Sequence, residues 1–344
     1  MTEPKPRTPE STAAHGLVLV DKPAGTSSNA VTRTVQRLFG ASSAGHLGTL
    51  DPFATGLLVV MLGDATRLAP WLERGEKSYL AQVVLGTTTD TLDREGAVVQ
   101  TRPVPSDARE RLRASLPRFT GTLHQRVPDF SAAKVEGVRR ADLARKGVPV
   151  EPKFKDVVVT TLSLLENDSP PLHRSTAPPL HLSVTCGPGT YIRQLVADLG
   201  EAIGCGAHTG ELRRTRVGTF AVEDAVPLER IRSIPAEQRA SCMAGVAAHL
   251  PGPVWAAGDA EWSAFERGQS VPFEDVVARE RASEAAATPG EGGLPAVVFV
   301  VRGGRVRGVG EIRAGRLWPR RVLAWGVPLQ APGGDRSREM STKP

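Results

Sequence analysis

The sequence predicts an α+β protein in which a mixed, largely antiparallel sheet is flanked by helices, with a basic insertion and a second, small β domain. Three observations carry that expectation. Apolar runs such as Gly16 to Val20, Leu57 to Leu62 and Leu180 to Cys186 have the length of buried strands. Elsewhere apolar residues recur at helical spacing, as in Val31, Val35, Leu38 and Phe39, and again in Ile192, Leu195, Val196 and Leu199. Near Pro251-Gly252-Pro253 the pattern changes to short apolar runs cut by glycine and arginine, which reads as a separate β domain.

In chain order, the segment before residue 16 is rich in Pro, Thr and charge and is expected to be a disordered tail. Ser28 is placed as the cap of the first helix and Gly40 as its exit. A glycine-rich run from Gly45 to Gly56 follows, and Leu57 to Leu62 is then a buried strand or a short helix. Tyr79 to Leu85 and Ala97 to Gln100 read as strands separated by the polar segment Thr87 to Thr91, with a helix near residues 106 to 116. From Arg126 to Phe154 the chain is basic and poor in large apolar residues, carrying Lys134, Arg139, Arg140, Arg145, Lys146 and Lys153, so it is expected to be an exposed excursion. Val157 to Leu165 and Leu180 to Cys186 are strands flanking a Pro-rich loop at 170–179 that should be mobile. Thr190 to Ile203 is helical, and the basic run Arg213-Arg214-Thr215-Arg216 comes next. Residues 283–293 should form a flexible loop, and residues from 330 a disordered tail.

Composition narrows the function class. Of 344 residues, 40% are hydrophobic and 23% charged, which suits a folded protein of about two domains. The net charge of +6 and an isoelectric point near 9.5 suit a polyanionic partner such as nucleic acid. The three cysteines, Cys186, Cys205 and Cys242, show no Cys-x-x-Cys spacing, which argues against a disulfide framework and a zinc knuckle. No apolar stretch approaches the roughly 18 residues of a membrane span, and the first fifteen residues lack a signal-peptide core. A soluble protein of the reducing cytoplasm, with no membrane partner, is expected.

The most informative residue is Asp51. Glycines on both sides permit positive φ and close backbone approach, and Pro52 biases Asp51 away from the helical region, so the run reads as a rigid loop presenting a carboxylate. Such a group can act as nucleophile or base, and in a closed pocket it needs a cation. Arg193, at the start of a helix, is a suitable two-point partner. Tyr79 offers a flat face for a nucleobase and a hydroxyl for proton handling, and His46 could serve as wedge, phosphate donor or base. Each also has an ordinary structural reading: a strand aromatic, an ion pair, a turn histidine.

Six segments then converge on one family. Asp21-Lys22-Pro23-Ala24-Gly25-Thr26-Ser27-Ser28, the run Gly45 to Gly56, Lys77-Ser78-Tyr79, Leu85 to Thr91, Gly189-Thr190-Tyr191-Ile192-Arg193 and Gly206 to Thr215 occur in the order found in the TruB family of bacterial tRNA pseudouridine-55 synthases. The resemblance covers about residues 16 to 220. It implies the pseudouridine synthase fold and an isomerase that, without a cofactor or metal, turns one uridine of the tRNA T-loop on a flipped-out nucleotide. By similarity Asp51 is the catalytic carboxylate, with attack on the sugar, addition to the base and abstraction of a ribose proton all open to it; Tyr79 packs on the target base and helps to remove the C5 proton, and Arg193 pairs with Asp51. His46, Lys22, Lys134, Arg145, Arg213 and Arg214 are the RNA-contacting candidates. The implied organisation is a catalytic domain over 16–248 with an RNA-gripping insertion at about 126–155, then a PUA-like β barrel over 249–329, acting as a monomer on tRNA. Two positions depart from the family pattern: Asp129 in Val127-Pro128-Asp129-Phe130, and Ala141 where a tyrosine is usual.

Two competing functions remain at this stage. The basic insertion and second β domain could belong to a tRNA-folding factor, and Cys186 could be the nucleophile of a uridine C5 methyl transfer. No glycine-rich nucleotide-binding turn supports the latter.

Overall fold

The computed structural model describes residues 14–135, 137–166, 180–272 and 297–331. The loops expected at 170–179 and 283–293, and nearly all of both expected tails, lie outside the described residues.

The two strands that open the fold are continuously apolar over residues 17–20 and 57–62 for a geometric reason. Gly16–Lys22 pairs antiparallel with Thr55–Leu62, and alternate side chains leave opposite faces of the sheet. Val18, Val20, Leu58, Val60 and Leu62 point to the helix Ser28–Leu38, whose Val31 and Val35 complete that layer. Leu17, Leu19, Leu57, Val59 and Met61 point the other way, into a second core. Leu57–Leu62 is therefore strand, the first of the two alternatives.

The main sheet runs in the order Val226–Pro227, Gly16–Lys22, Thr55–Leu62, Ala207–Val217, Lys77–Leu85, Leu180–Cys186, Phe154–Leu164, Gly121–Arg126. It is mixed and mainly antiparallel, as the sequence predicts. The strands Thr55–Leu62 and Ala207–Val217 meet in parallel over only two residue pairs, Thr55 with Arg213 and Gly56 with Arg214. Gly56 makes that junction possible. Its φ is +100°, and a Cβ there would lie 2.3 Å from the carbonyl oxygen of Arg214. Beyond the junction, the helix Ile192–Ala202 buries Ile192, Leu195, Val196 and Leu199 against Ala81, Val83, Leu182 and Val184.

The C-terminal strands Val254–Ala256, Val297–Arg302, Arg305–Arg313, Arg316–Pro328 and Val271–Pro272 form a five-stranded sheet. One face packs Val298, Val300 and Leu317 under Trp262 and Phe265 of the helix Asp259–Glu266. The other face places Phe299, Val301, Val306, Val309, Leu323 and Val327 in one core with Leu17, Leu19, Leu57 and Val59. The Asp64 carboxylate accepts the backbone N–H groups of Trp325 and Gly326 at 2.6 and 2.9 Å across that joint. The C-terminal strands thus form the small β unit the sequence predicts, and its inner face shares a core with the main sheet because the two-faced apolar run at 57–62 needs a second cover.

Other local expectations shift. Ser27, not Ser28, caps the first helix, accepting from the Ala30 N–H at 3.2 Å. The polar segment Thr87–Thr89 is itself a strand, pairing with Val98–Thr101 in a two-stranded ribbon apart from the main sheet. The helix expected from Thr190 starts at Ile192. Within the insertion, a hairpin of Lys134–Val135 and Val138–Arg139 leads into the short helix Arg140–Arg145. Arg140 is 1% exposed there, its guanidinium donating to Asp129 Oδ1 at 2.6 Å and to the Glu151 carbonyl at 2.9 Å. That pair gives the unusual Asp129 a structural partner, so the excursion is not wholly solvated.

Gly56→Ala is expected to lose about 2–4 kcal/mol, from the unfavourable φ and the clash with the Arg214 backbone. Denaturant unfolding measures this; a loss below about 0.5 kcal/mol, the scale of a neutral surface change, would contradict the junction's tightness.

Candidate active site

The loop that carries Asp51 is held from three directions by groups the sequence places far apart. Ser28 Oγ, freed from capping, donates to the Leu50 carbonyl at 2.9 Å and accepts from the Leu50 N–H at 2.8 Å. The Lys22 ammonium donates to the carbonyls of Pro23, Thr26 and Pro52 at 2.8, 2.7 and 3.1 Å. Arg214 donates to the Gly48 carbonyl at 3.0 Å and the Leu57 carbonyl at 2.8 Å. A loop whose carbonyls are consumed in this way is rigid before any ligand arrives.

Lys22 and Arg214 have no exposed surface. Their expected place among RNA-contacting residues is thus corrected: each is an internal brace, because an ammonium or guanidinium can satisfy several loop carbonyls that the glycine-rich backbone cannot pair with itself. Burial costs the charged form. It pulls Lys22 down to about 8, against the opposing pull of Asp51 and Glu95, and it also pulls Arg214 below its ordinary value.

Arg193 meets Asp51 as expected. Its Nε donates to Asp51 Oδ2 at 2.8 Å and an Nη to Oδ1 at 3.2 Å, the two-point geometry of a guanidinium on a carboxylate. The remaining donors reach the carbonyls of Thr91 and Phe130 and the carboxylate of Asp93, 3.4 Å away. The Arg193 side chain is 4% exposed and that of Asp51 36%, so the arginine is fixed in the protein while the carboxylate faces the opening. Gln125 fixes the helix entry beneath, its side-chain amide bonded both ways to the Tyr191 backbone at 2.8 and 3.0 Å.

Asp51 and Arg193 stand between two adjoining cavities of about 250 and 230 Å³. The first is also lined by Lys77, Tyr79, Tyr191, Leu212 and Arg214, the second by Ser27, Asn29, Asp93, Phe130, Ala141 and Arg145. Tyr79 is 7% exposed, and burial pushes its phenol up, partly offset by the facing Arg214 guanidinium. At neutral pH it is a donor rather than a phenolate base.

The other candidates lie around this centre. His46 lines neither cavity; burial and Arg214 pull its imidazole down, toward the neutral form. Arg213 is bonded to both oxygens of Asp21 at 3.0 and 2.8 Å. Arg145 pairs with Asp142 at 3.2 Å on the rim of the second cavity. The Lys134 side chain lies outside the described residues. Cys186 is 1% exposed, lines neither cavity, and its thiol is pushed up to about 11 by burial, so it is a packing residue. Among the described residues, no group of three or more His, Cys, Asp or Glu side chains is arranged to hold a metal, and no helix is long and apolar enough to cross a membrane.

Sequence reasoning missed Asp93, Lys77 and Gln125. Asp93 follows Leu92, whose φ of +63° turns the chain so that the carboxylate faces Arg193. Nothing in the sequence marks a leucine for that conformation. Gln125 gave no signal at all.

Residues 36–192 match the TruB family pseudouridylate synthase N-terminal domain, and residues 193–244 match the tRNA pseudouridylate synthase B C-terminal domain. The chain is 40% identical over 315 residues to a tRNA pseudouridine synthase B of Aromatoleum aromaticum, spanning 90% of this chain and 92% of that one. It is also 40% identical over 310 residues to that of Cupriavidus metallidurans, spanning 90% and 94%. In three dimensions it resembles a chain of an H/ACA RNP bound to a substrate RNA containing 2'-deoxyuridine, with TM-score 0.58, 21% identity and coverage of 92% and 88%. A chain of a Cbf5-Nop10-Gar1 complex gives 0.56, 23%, 92% and 86%. The two structural likenesses agree on the fold, and the extent of identity to the sequence relatives decides the rest: this chain belongs to the TruB family of pseudouridylate synthases.

Proposed function

We propose that this chain is an isomerase that converts uridine to pseudouridine in tRNA, at position 55 of the T-loop, with Asp51 as the carboxylate that carries the chemistry. The observation that carries this reading is the two-point Arg193–Asp51 pair set at the wall of a cavity that also contains the Tyr79 ring. The reaction breaks the N-glycosidic bond, turns the base and joins its C5 to the ribose; the C5 proton is lost and one is gained at N1. The base must leave its stack to reach such a cavity, and an enclosed wall keeps it from escaping while it is detached.

Each group has a task in that sequence. Asp51 faces the opening, where the sugar of an everted nucleotide would sit, and its charge stabilises positive charge developing at C1'. Arg193 holds the carboxylate in one orientation with little freedom left in its own side chain. Tyr79 packs on the base and donates from its hydroxyl. Arg145, Arg213, His46 and Lys134 are the groups we assign to the RNA itself, around the insertion at about 126–155. We assign the chemistry to residues 16–248 and added RNA contact to a PUA-like unit over 249–329, in a cytoplasmic monomer that uses no cofactor. The folding-factor alternative gives the Arg193–Asp51 pair no task, and the methyl-transfer alternative loses its nucleophile with the burial of Cys186.

Asp51→Asn is expected to lower conversion by about 10³-fold or more while tRNA binding changes little. Tritium release from C5-labelled uridine tRNA measures it, and near-normal turnover would refute the assignment. The same substitution should cost about 1 kcal/mol or less in stability, since Asp51 is partly solvated. Arg193→Met should cost about 3–5 kcal/mol, because it takes the guanidinium away from the buried Asp93 carboxylate and leaves two carbonyls without their donor. Denaturant unfolding separates the two, and equal stability losses would contradict the described asymmetry. For Tyr79→Phe, turnover should fall by about 10²-fold with the fold intact; an unchanged rate would remove the hydroxyl from the reaction.

A further inference from the structure

The floor of the Tyr79 cavity carries more positive charge than the Asp51–Arg193 pair explains. Arg214 spends Nε and one Nη on the Leu57 and Gly48 carbonyls, its Nη1 is buried with no carbonyl or carboxylate partner among the described residues, and the guanidinium faces the Tyr79 phenol. Lys77 is 6% exposed, and its ammonium makes one long contact, 3.5 Å to the Glu73 carbonyl. Among the described residues, no carboxylate is ion-paired with either of them.

The two cations converge on the same spot. A Cβ on Gly48 would lie 3.0 Å from Lys77 Cε, 3.4 Å from Arg214 Nη1 and 3.9 Å from Lys77 Nζ, and Gly48, at φ +76°, leaves that space open. Two buried cations side by side, with no carboxylate paired to either among the described residues, cost free energy that packing alone does not return. Burial and Arg214 both pull Lys77 down from its ordinary value, with Glu73 opposing. The open side of this pair is the cavity that also holds Tyr79.

We propose that Lys77 Nζ, backed by the buried Arg214 guanidinium, forms an electrophilic floor that receives an exocyclic carbonyl oxygen of the target base and stabilises the electron pair the base takes when its bond to C1' opens. The proposal rests on the pseudouridine synthase reading above. Heterolysis of C1'–N1 leaves the pair on the ring, spread over N1, O2 and O4. When C5 bonds to C1' the pair returns to the new bond, and the proton lost from C5 is matched by the proton gained at N1. Donors fixed in a water-poor site before the charge develops need no reorganisation as it forms.

Lys77 is the better probe, since Arg214 also anchors the Asp51 loop. Lys77→Met and Lys77→Arg would be compared with the parent in single-turnover conversion of a tRNA carrying uridine or 5-fluorouridine at the target position. Consumption of the target nucleoside is read by digestion and chromatography, with tRNA binding and thermal melting measured alongside. Lys77→Met should bind tRNA as the parent does and convert uridine about 10²-fold more slowly, with Lys77→Arg recovering most of the loss. The deficit should shrink to about tenfold or less with 5-fluorouridine, whose ring carries negative charge more readily and needs the floor less. If Lys77→Met melts far below the parent, Lys77→Gln takes its place with the same expected pattern. A deficit below about threefold, or one of equal size for both bases, would overturn the floor. A parent that converts neither base would instead remove the reading beneath it.

Discussion

The structure turns on the pairing of Arg193 with Asp51. A guanidinium buried at the start of a helix is expensive unless every side of it is occupied, and here each nitrogen has a partner drawn from a different stretch of chain: the Asp51 loop, the turn at Thr91 to Asp93, and Phe130 at the root of the insertion. One side chain thereby ties three segments together. The carboxylate it holds is the only one of its charged partners that faces the opening to a substantial extent, and that asymmetry separates a working group from its support.

The scaffold beneath follows from simple constraints. A strand apolar on both faces needs two covers, and the fold supplies a helix on one side and the C-terminal sheet on the other. Where the two halves of the main sheet meet, Gly56 lets the Arg214 backbone approach to a distance no side chain tolerates. The Arg214 side chain then reaches under the Asp51 loop. Packing and chemistry are linked through that single residue, whose backbone closes the sheet and whose guanidinium braces the site.

Much of this was legible in the sequence. Periodicity of two and of 3.6 placed the principal strands and helices, and the Asp51, Tyr79 and Arg193 trio was found from residue type and local context before it was strengthened by resemblance. Other features follow from three-dimensional partners that no local pattern encodes. A basic residue in a site-forming segment reads as a ligand contact, which places Lys22 and Arg214 on RNA, whereas both side chains are buried and brace loop carbonyls. Asp93 depends on a leucine in a left-handed turn, and Ser28 exchanged its capping role for a bond to a residue 22 positions away. The apolar run at 57–62 announced burial but not its second cover.

The central claim is that Asp51, held by Arg193, acts on an everted uridine of tRNA. Its most direct test is incubation of the protein with unmodified tRNA transcript, followed by mapping of pseudouridine at nucleotide resolution, in parallel with Asp51→Ala. The account predicts one new pseudouridine, in the T-loop, made by the parent and not by the variant. Modification elsewhere only, none at all with the parent, or an undiminished T-loop signal with Asp51→Ala would contradict it.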